Sequence, residues 1–412
     1  MKILIVSEDI PNPHLGGLGK HALALAHELH RTGHAVDVLG NADHPIDATP
    51  EQRGPGQFFG AITGHQRGWK QQALGAYHPW ANRLNAGALA KAIVAHASGY
   101  DVVHYHGHLP WVAQQLPASL PFTQTRHDQG GDCMLRTRFR PEAVRCESRR
   151  PEDCAACATP RPNRLQRALS AWSVRDMRTT TAAAYESRPV IFVSDFLRQA
   201  FARVSGKGPQ GTVIHNSVRL DELQRAVATA APTERATTSV DLFAAGALFA
   251  YKGFRELLES LKSHGLPDGW RLSIAGSGPE LESLRSTYEG AKVRFFGWCD
   301  YRSVLAHTMS ADAVIVPSVL EEPFATTVLE ALALGRVVYA LNRGGTPEIA
   351  TYAGPAGGRL RLFDTMDELV AGVLARGVVP QDPVESLAQF SVGVAGMAQD
   401  VLAHYVAHLG PR

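Results

Sequence analysis

The sequence lacks any hydrophobic run long enough to cross a membrane. A transmembrane helix needs about 18–20 consecutive apolar residues, and no stretch of this chain reaches that length. A secretory leader pattern is also missing, because the short apolar run 3–6 is followed closely by Glu8 and Asp9 and not by a small-residue cleavage site. Cysteine is scarce, with five in 412 residues, which fits a reducing compartment. These absences predict a cytoplasmic protein.

An excess of charge of one sign is missing as well. The chain has 41 Lys and Arg against 39 Asp and Glu, for a net charge of +2, so its overall charge gives no reason to expect a nucleic-acid partner. With 45% hydrophobic and 19% charged residues, the composition is that of an ordinary globular protein and excludes disordered, collagen-like and coiled-coil chains. A length of 412 residues favours two domains.

Short apolar runs alternate with helical patterns along the whole chain. Continuous β-branched runs are typical of strands that are covered on both faces, and helices between them indicate parallel βαβ units. The sequence therefore predicts an α/β protein of two Rossmann-like, parallel-sheet domains that face an inter-domain cleft. The predicted strands are 2–7, 35–39, 102–105, 122–125, 190–194, 212–214, 242–245, 272–275, 293–296, 313–317 and 337–341.

The predicted domain boundaries follow from a break in this alternation. Residues 226–239 are small and polar without strong periodicity, which is typical of a linker. We expect an N-terminal domain over 1–220, with an insert rich in Cys and Arg at about 128–178, and a second domain over 236–389. Residues 390–412 form a helical pattern that either ends the second domain or reaches back to the first.

A glycine-rich turn joins the first strand to a helix. Glycines at this position let the backbone approach a ligand, and the helix N-terminus favours anions. Neither the P-loop nor the dinucleotide-binding spacing fits the run from Gly16 to His21, which argues against a dehydrogenase; a simple turn closing a βα unit remains the alternative. The helix also carries His21, His27, His30 and His34, whose spacing could hold a metal, but Glu28 points to another face and helix-surface histidines are common, so surface histidines are the favoured interpretation.

The second half carries two glutamates eight residues apart at the start of a helix. Glu322 is expected in the loop before this helix and Glu330 about two turns inside it, so that they bracket the free N–H groups of the helix N-terminus. Lys252 follows Gly246 in a glycine-flanked loop between a strand and a helix, where a lysine can pair with a diphosphate. A buried helix with two surface glutamates and a solvated lysine is the alternative interpretation.

Together these segments resemble the family 4 glycosyltransferases, which are retaining enzymes of GT-B fold. The resemblance covers nearly the whole chain, and its most specific element is the pair of glutamates with Pro and Phe after the first. The matching segments are 16–19 (GGLG), 101–106 (DVVHYH), 125–128 (TRHD), 190–194 (VIFVS), 213–216 (VIHN), 246–253 (GALFAYKG), 275–279 (AGSGP) and 322–331 (EPFATTVLEA).

The resemblance implies a role for each matching residue. His127, Lys252 and Glu322 are the expected catalytic residues: His127 lies beside the transferred sugar, Lys252 contacts the diphosphate and Glu322 the sugar hydroxyls. Glu330 would hold the ribose of a UDP-type or GDP-type nucleotide-sugar donor. The other expected donor-binding residues are Gly16, Gly17, Gly246, Phe324, Ala325, Thr326 and Thr327. No metal cofactor is implied for catalysis, and the sequence has no Asp-x-Asp element of the kind that metal-dependent transferases need.

Two positions depart from the family pattern. Ala247 stands where the family often has an arginine, so one cation expected at the diphosphate is missing. His14 and Leu15 precede the first glycines where starch and glycogen synthases have Lys-Thr, which disfavours glucan synthesis.

The insert carries four cysteines and many arginines. Cys133, Cys146, Cys154 and Cys157, which end in a C-x-x-C pair, predict a structural zinc site, with a reduced, metal-free loop as the alternative. From 126 to 178 the chain has twelve Arg against seven Asp and Glu, a local charge of +5. This charge predicts attraction to an acidic lipid-linked acceptor or an anionic membrane face, unless the loop is simply solvated.

The sequence thus predicts a retaining glycosyltransferase that uses a nucleotide sugar to extend a bacterial surface glycan or lipid-linked precursor, at the inner face of the cytoplasmic membrane. Three other classes stay open: a small-molecule (natural-product) glycosyltransferase, a sugar-nucleotide 2-epimerase of related fold, and a catalytically silent sugar-nucleotide-binding subunit. The two-glutamate element argues against the epimerase, and Ala247 is the hint of a silent subunit.

Overall fold

The structure, a computed structural model, divides the chain into two compact units. Unit 1 comprises Met1–Glu142, Cys146–Asn216 and Val394–Arg412, and unit 2 comprises Ala143–Arg145 and Ser217–Gly393. The residues that the structure describes are 1–11, 16–42, 49–63, 75–141, 144–206, 210–229, 239–353, 359–375, 387, 390, 392–393 and 394–410. Most of the predicted linker, 230–238, and the departure at His14 and Leu15 lie outside these residues.

Each unit is built on one parallel sheet. The strands are β1 (Lys2–Val6), β2 (Ala35–Asn41), β3 (Phe58–Ile62), β4 (Val102–His106), β5 (Phe122–Arg126), β6 (Val190–Phe192), β7 (Thr212–Val213), β8 (Val240–Ala245), β9 (Trp270–Ala275), β10 (Val293–Gly297), β11 (Ala313–Val316), β12 (Val337–Leu341) and β13 (Leu360–Phe363). Unit 1 has the strand order β3-β2-β1-β4-β5-β6-β7 and unit 2 the order β10-β9-β8-β11-β12-β13. The expected fold class, two Rossmann-like parallel sheets, is confirmed.

Helices connect these strands as crossovers. They are α1 (Gly17–Arg31), α2 (Pro50–Arg53), α3 (Pro79–His96), α4 (Arg164–Ser187), α5 (Asp195–Ser205), α6 (Leu220–Thr229), α7 (Phe254–His264), α8 (Leu281–Tyr288), α9 (Tyr301–Ser310), α10 (Thr326–Ala333), α11 (Met366–Ala375) and α12 (Val394–Leu409). Three-residue to seven-residue 3₁₀ segments include Pro110–Gln115, Pro151–Cys157 and Thr346–Tyr352. In the described part of the chain, no helix is long and apolar enough to cross a membrane.

Burial in the core of each unit explains why the sequences of the central strands are mostly continuous apolar runs. All five residues of β4 and all five of β5 are buried, as expected for strands with helices on both faces. The C-terminal helix α12 belongs to unit 1, where Met397, Val401 and Tyr405 pack into the same apolar cluster as residues of β1 and α1. In unit 2 the cluster joins β8, β9 and β11 to α7 and α11.

The sequence missed two strands, β3 and β13. Both lie at the edge of their sheet, and several of their residues are partly exposed. An edge strand needs only one partner and does not require a continuous apolar run, so its sequence signal is weak.

In each sheet the strand order reverses between two central strands, β1 and β4 in unit 1 and β8 and β11 in unit 2. Ligands of open α/β sheets bind beyond the carboxyl ends of the strands at such a reversal.

Candidate active site

In unit 2 the candidate residues meet beyond the carboxyl ends of β8 and β11. The Lys252 ammonium lies 2.5 Å from Oε1 of Glu322, and the Ser318 hydroxyl donates to the same oxygen at 2.8 Å. The two charged side chains are only 27% and 16% exposed, so the ion pair is largely shielded from solvent. The sequence assigned separate contacts to Lys252 and Glu322, whereas the structure brings them together without a ligand.

Glycines hold the two loops of this site in place. Gly253 has φ 72°, and a Cβ there would lie 2.0 Å from the carbonyl oxygen of Pro317, so only glycine lets the Lys252 loop pack against the end of β11. Gly344, at φ 59°, approaches the Glu322 backbone equally closely, and the neighbouring Gly345 N–H donates to the Glu322 carbonyl at 2.7 Å. The sequence analysis gave no role to Gly344.

The N-terminus of α10 is available to an anion. The N–H groups of Val328 and Leu329 donate to the carbonyl of Ala325, the N-cap residue, and no side chain caps this end. Helical geometry leaves the N–H groups of Thr326 and Thr327 outside the intrahelical pattern, and they carry the positive end of the helix dipole. Phe324 and Ala325 are buried just before the helix. Gly246, in contrast, uses its N–H for the carbonyl of Ala275.

Glu330 lies little more than one turn inside α10, because the helix begins at Thr326; the expectation of two turns was wrong. Its Oε1 accepts a hydrogen bond from the Tyr301 hydroxyl at 2.9 Å. Burial first, and then Glu330, raise the pKa of Tyr301, so the phenol stays a donor at neutral pH. Asp300 caps α9 by accepting from the Ser303 N–H at 2.7 Å, which fixes Tyr301 at the first helical position.

Sequence reasoning missed Tyr301. Its only sequence signal is the Asp300 cap just after β10. A strand followed by a helix cap places the first helical residues at the carboxyl edge of the sheet.

The loop that follows Gly246 carries an exposed alanine and a pair of stacked aromatic rings. Ala247 is exposed, and Phe249 stacks on Tyr251 with ring centroids 5.3 Å apart and planes at 7°.

In unit 1 the glycine turn precedes α1, beyond β1. Gly16 is the extended N-cap residue of α1, and Gly17 is its first helical residue. A Cβ on either glycine would meet none of the described residues within 4 Å, so their packing does not require glycine there. This open space is what the close approach of a ligand to the backbone needs.

His127 follows β5 directly and lies among other histidines. Its Nε2 is 3.1 Å from Nδ1 of His106, the last residue of β4, and its ring centroid is 4.6 Å from that of His21 on α1. Burial, and then the two neighbouring imidazoles, lower the pKa of His127, so it is neutral at pH 7. The helix histidines His27 and His30, which the sequence grouped with His21, are exposed.

A charged network supports the His127 loop. His108 hydrogen-bonds Asp128 at 2.7 Å and lies 3.7 Å from Asp9, while the buried Arg126 guanidinium donates to Asp128 at 3.1 Å. Burial and Arg136 lower the pKa of His108, but the hydrogen bonds to Asp128 and Asp9 outweigh them and raise it to about 9. Burial alone would raise the pKa of Asp128, yet His108 and Arg126 hold it below its usual range. The pair is therefore charged at neutral pH.

The four cysteines of the insert line one small cavity. It has a volume of about 20 Å³ and is bordered by Cys133, Cys146, Cys154 and Cys157. All four are reduced cysteines, and burial raises the pKa of Cys154 to about 12. Among the described residues, no three of these sulfurs lie within 4.8 Å of one another. The structure thus gathers the predicted ligands but does not place them at the spacing of ligands on one metal.

The arginines of the insert differ in their surroundings: Arg145 and Arg175 are exposed but paired with Glu321 and Glu152, and Arg136 and Arg140 are partly exposed. Arg126, Arg138 and Arg178 are buried in ion pairs with Asp128 or Asp132 and add no surface charge. The exposed arginines that form no ion pair with another described residue are Arg149, Arg150, Arg161, Arg164 and Arg167.

A larger cavity of about 390 Å³ lies at the amino ends of β6 and β7 and is bordered by His404 and His408. It is at the opposite edge of the sheet from the glycine turn and His127.

Comparisons with known proteins agree with this fold and these loops. The sequence model described as Glycosyltransferase Family 4 matches residues 15–222, and the one described as Glycosyl transferases group 1 matches residues 229–359. The first match covers half of the chain. The protein therefore belongs to glycosyltransferase family 4.

Individual relatives are distant. A glycogen synthase of Mycobacterium tuberculosis is 26% identical over 380 residues, covering 84% of this chain and 80% of that protein. The solved structure of sucrose-phosphate synthase from Thermosynechococcus elongatus has a TM-score of 0.64 at 19% identity, over 99% of both chains. Anabaena HepE in complex with UDP-glucose has a TM-score of 0.60 at 16% identity, over 99% of this chain and 100% of that chain. At these identities the structural likenesses establish the fold.

Proposed function

We propose that the protein transfers a sugar, with retention of anomeric configuration, from a nucleoside diphosphate sugar to an acceptor. The observation that carries this proposal is the Lys252–Glu322 pair beside the uncapped N-terminus of α10, at the strand reversal of unit 2. A cation and helix N–H groups together suit a diphosphate, and a carboxylate next to them suits sugar hydroxyls. HepE, of the same fold, binds UDP-glucose, which supports a UDP-type donor.

The proposed chemistry depends on where charge develops. Cleavage of the bond between sugar and diphosphate leaves negative charge on the leaving group and positive charge on the sugar ring. Lys252 and the N–H groups of Thr326 and Thr327 would stabilise the former, and these groups are already in position before reaction. The donor diphosphate would draw Lys252 away from Glu322, whose carboxylate then becomes free to accept from the hydroxyls of the transferred sugar. In this proposal the pair changes partners on donor binding.

Unit 1 would supply His127 and the glycine turn. Neutral His127 can donate one hydrogen bond and accept another, as a partner of sugar hydroxyls must. Retention follows if the acceptor attacks from the face that the leaving group vacates, and the leaving diphosphate can then accept the proton of the acceptor hydroxyl. Glu330, held by Tyr301, would bind the ribose hydroxyls.

A thermal-shift series tests the donor site. The protein is melted with UDP, GDP, ADP, CMP and dTDP without added metal, and Glu330→Gln is compared with Glu259→Gln, an exposed glutamate on α7. Stabilisation by one nucleotide, lost in Glu330→Gln and kept in Glu259→Gln, is the expected result. Equal shifts in both variants would contradict the ribose role. Product NMR at early times distinguishes retention from inversion.

We propose further that the acceptor is lipid-linked and that unit 1 docks on an anionic membrane. The exposed arginines of the insert lie near large apolar side chains that are also exposed: Leu165 is 66% and Trp172 56% exposed on α4, and Trp80 62% and Leu84 74% on the adjacent α3. Exposed apolar groups flanked by arginines are what an anionic bilayer surface attracts.

Co-sedimentation with vesicles tests this docking. Binding to phosphatidylglycerol vesicles should exceed binding to phosphatidylcholine vesicles and should fall in Leu165→Ser/Trp172→Ser. The matched control is Trp298→Ser, which removes an indole that is 68% exposed on unit 2. Loss in the control to the same degree would refute the assignment of the surface.

Glucan elongation is a second candidate, because a glycogen synthase is among the relatives and 80% of its length is matched. Incubation of the protein and labelled donor with glycogen or with a lipid-linked acceptor extract separates the two. A natural-product acceptor would leave both unlabelled.

A catalytically silent subunit would bind the nucleotide but would neither hydrolyse the donor nor transfer its sugar. In that case Ala247→Arg, which restores the missing cation at an exposed position, should raise donor affinity.

We also propose that the four cysteines hold a structural zinc ion once their side chains rotate from the wider spacing of this structure to ligand distance. A cavity of about 20 Å³ is large enough for one ion or water molecule, and thiolates are ligands that zinc prefers. Native mass spectrometry should show a zinc ion that is lost in Cys154→Ser and kept in His21→Asn. A metal-free wild-type protein purified from zinc-containing medium would contradict this site.

A further inference from the structure

A cluster of three imidazoles in unit 1 has ligand atoms that converge on one point. One nitrogen each from His21, His106 and His127 lies within 4.8 Å of the other two. The three side chains come from different elements, namely the first turn of α1, the last residue of β4 and the residue after β5. Because a sheet edge and a helix fix their positions, the cluster is part of the folded unit and not of one mobile loop.

The spacing suits a first-row transition metal. Zinc–nitrogen bonds of about 2.0–2.1 Å place two nitrogens of a tetrahedral site about 3.4 Å apart. Nδ1 of His106 and Nε2 of His127 are 3.1 Å apart, and the His21 and His127 rings meet edge to face at 70°. Small side-chain rotations would bring the third nitrogen to the same distance. Imidazole is a ligand that Zn²⁺, Ni²⁺ and Cu²⁺ share.

His106 is the member of the cluster whose ring nitrogens lack ordinary hydrogen-bond partners among the described residues. Its side chain is fully buried, Nδ1 meets only another imidazole, and Nε2 has no hydrogen-bond partner among the residues that the structure describes. The nitrogen that an ion would occupy is Nδ1, which faces His127, and an ion between the two imidazoles would satisfy both facing nitrogens while Nε2 keeps the N–H.

The cluster is also accessible and ready to ligate. His21 and His127 are partly exposed, so an ion can enter from solvent and keep an open coordination position. The neighbouring Arg126 charge, which would repel a cation, is paired with Asp128.

We propose that His21, His106 and His127 form a binding site for a divalent transition metal ion, best fitted by Zn²⁺, with three protein ligands and one open position. Binding requires no redox step and no proton transfer, because three neutral nitrogens replace water molecules on the ion. If His127 contacts the transferred sugar, as the proposed function holds, the metal occupies its nitrogen and inhibits transfer. The binding itself does not depend on that role.

Zinc titration by calorimetry tests the site on the full chain. The wild type is compared with His21→Asn and His127→Asn, and with His30→Asn as the matched control, since His30 is exposed on the same helix. Affinity should fall at least about tenfold in the first two, because even loss of an outer-shell group costs that much. The control should bind like the wild type. Equal affinity in all four proteins would overturn the proposal.

Cobalt spectra separate this site from the cysteines. The full chain is first loaded with one equivalent of zinc, and Co²⁺ is then added. Weak visible bands without thiolate charge-transfer absorption, absent in His21→Asn, are the expected signature of nitrogen ligands. Thiolate absorption alone would refute the histidine site. Matching near-ultraviolet circular dichroism shows that each variant is folded.

Transfer assays with added zinc then separate the two proposals. Zinc should inhibit the wild type and His30→Asn, each relative to its own zinc-free rate, and should inhibit His21→Asn at least about tenfold more weakly. Zinc binding to the three histidines without inhibition would support the metal site and contradict the role given to His127.

Discussion

Replacement of Lys252 by methionine is the sharpest perturbation of the donor site. Methionine keeps much of the side-chain length and removes the charge, so the loop held by Gly253 should keep its shape. Among the described residues, Oε1 of Glu322 then retains the Ser318 hydroxyl, at 2.8 Å, as its partner. Because Glu322 is then left without its counter-charge in a largely shielded site, we expect the free energy of unfolding to fall by about 1–3 kcal/mol.

The effect on ligand binding follows from the geometry. A charged hydrogen bond to the diphosphate is worth about 1.5–3 kcal/mol, or about ten- to 150-fold in affinity. In the free protein, however, Lys252 already has a partner at 2.5 Å, and this contact must be given up when the diphosphate binds. The lower end of the range is therefore expected: nucleoside diphosphate should bind about tenfold more weakly to Lys252→Met.

Glu322→Gln tests the same reasoning from the other side of the pair. Loss of the carboxylate releases Lys252, so nucleoside diphosphate alone should bind more tightly than to the wild type, while transfer of the sugar should fall. Calorimetry with the nucleoside diphosphate and single-turnover transfer assays measure the two effects. Lys262→Met, an exposed lysine on α7, is the control and should behave as the wild type.

Two results would refute this account of the pair. Equal nucleoside diphosphate affinity in Lys252→Met and Lys262→Met would remove Lys252 from the diphosphate site. Weaker binding of nucleoside diphosphate to Glu322→Gln would show that the ion pair positions Lys252 for the ligand and does not compete with it.

Other predictions concern the parts around this pair. Tyr301→Phe removes a neutral hydrogen bond to Glu330 and should weaken nucleoside diphosphate binding by about two- to tenfold in calorimetry; unchanged affinity would contradict the support of Glu330. Gly253→Ala, at φ 72°, should lower the free energy of unfolding by about 1–3 kcal/mol in denaturant titrations, whereas a wild-type value would show that the loop shifts freely. Burial lowers the pKa of His404 from 6.5 to about 4, so the unfolded chain binds this proton first and stability should decrease as the pH falls from about 6.5 toward 4. His404→Gln should flatten that slope, and an unchanged pH dependence would show that other groups cause it.

The sequence predicted the central strands because burial on both faces requires a continuous run of mostly apolar residues. It missed β3 and β13, whose short apolar runs are interrupted by Gly60 and Arg361 and are mostly partly exposed, although it predicted the edge strands β7 and β10. Helix starts were predicted less well: the extended segment before Thr326 contains residues that helices also accept, so Glu330 seemed one turn deeper than it is.

Contacts between distant segments could not be predicted from spacing. Lys252 and Glu322 are 70 residues apart, and Tyr301 and Glu330 are 29 apart. Only the strand order of the sheet determines that the loops after β8 and β11 are neighbours. The same limit explains the histidines: helical spacing grouped His21 with its own helix, whereas the sheet places it beside residues of β4 and the β5 loop.

The two pairings in unit 2 share a physical logic. An isolated lysine or carboxylate in a partly buried site would be costly, because its charge loses solvation without a partner. The Lys252–Glu322 pair satisfies both charges before the donor arrives, and the Tyr301 hydroxyl does the same for Glu330. Donor phosphates and hydroxyls offer equivalent partners, so binding exchanges one satisfied arrangement for another. A nucleotide without a sugar would offer a new partner to Lys252 but none to Glu322. Discrimination between ligands then depends on whether a ligand offers partners to both of these side chains.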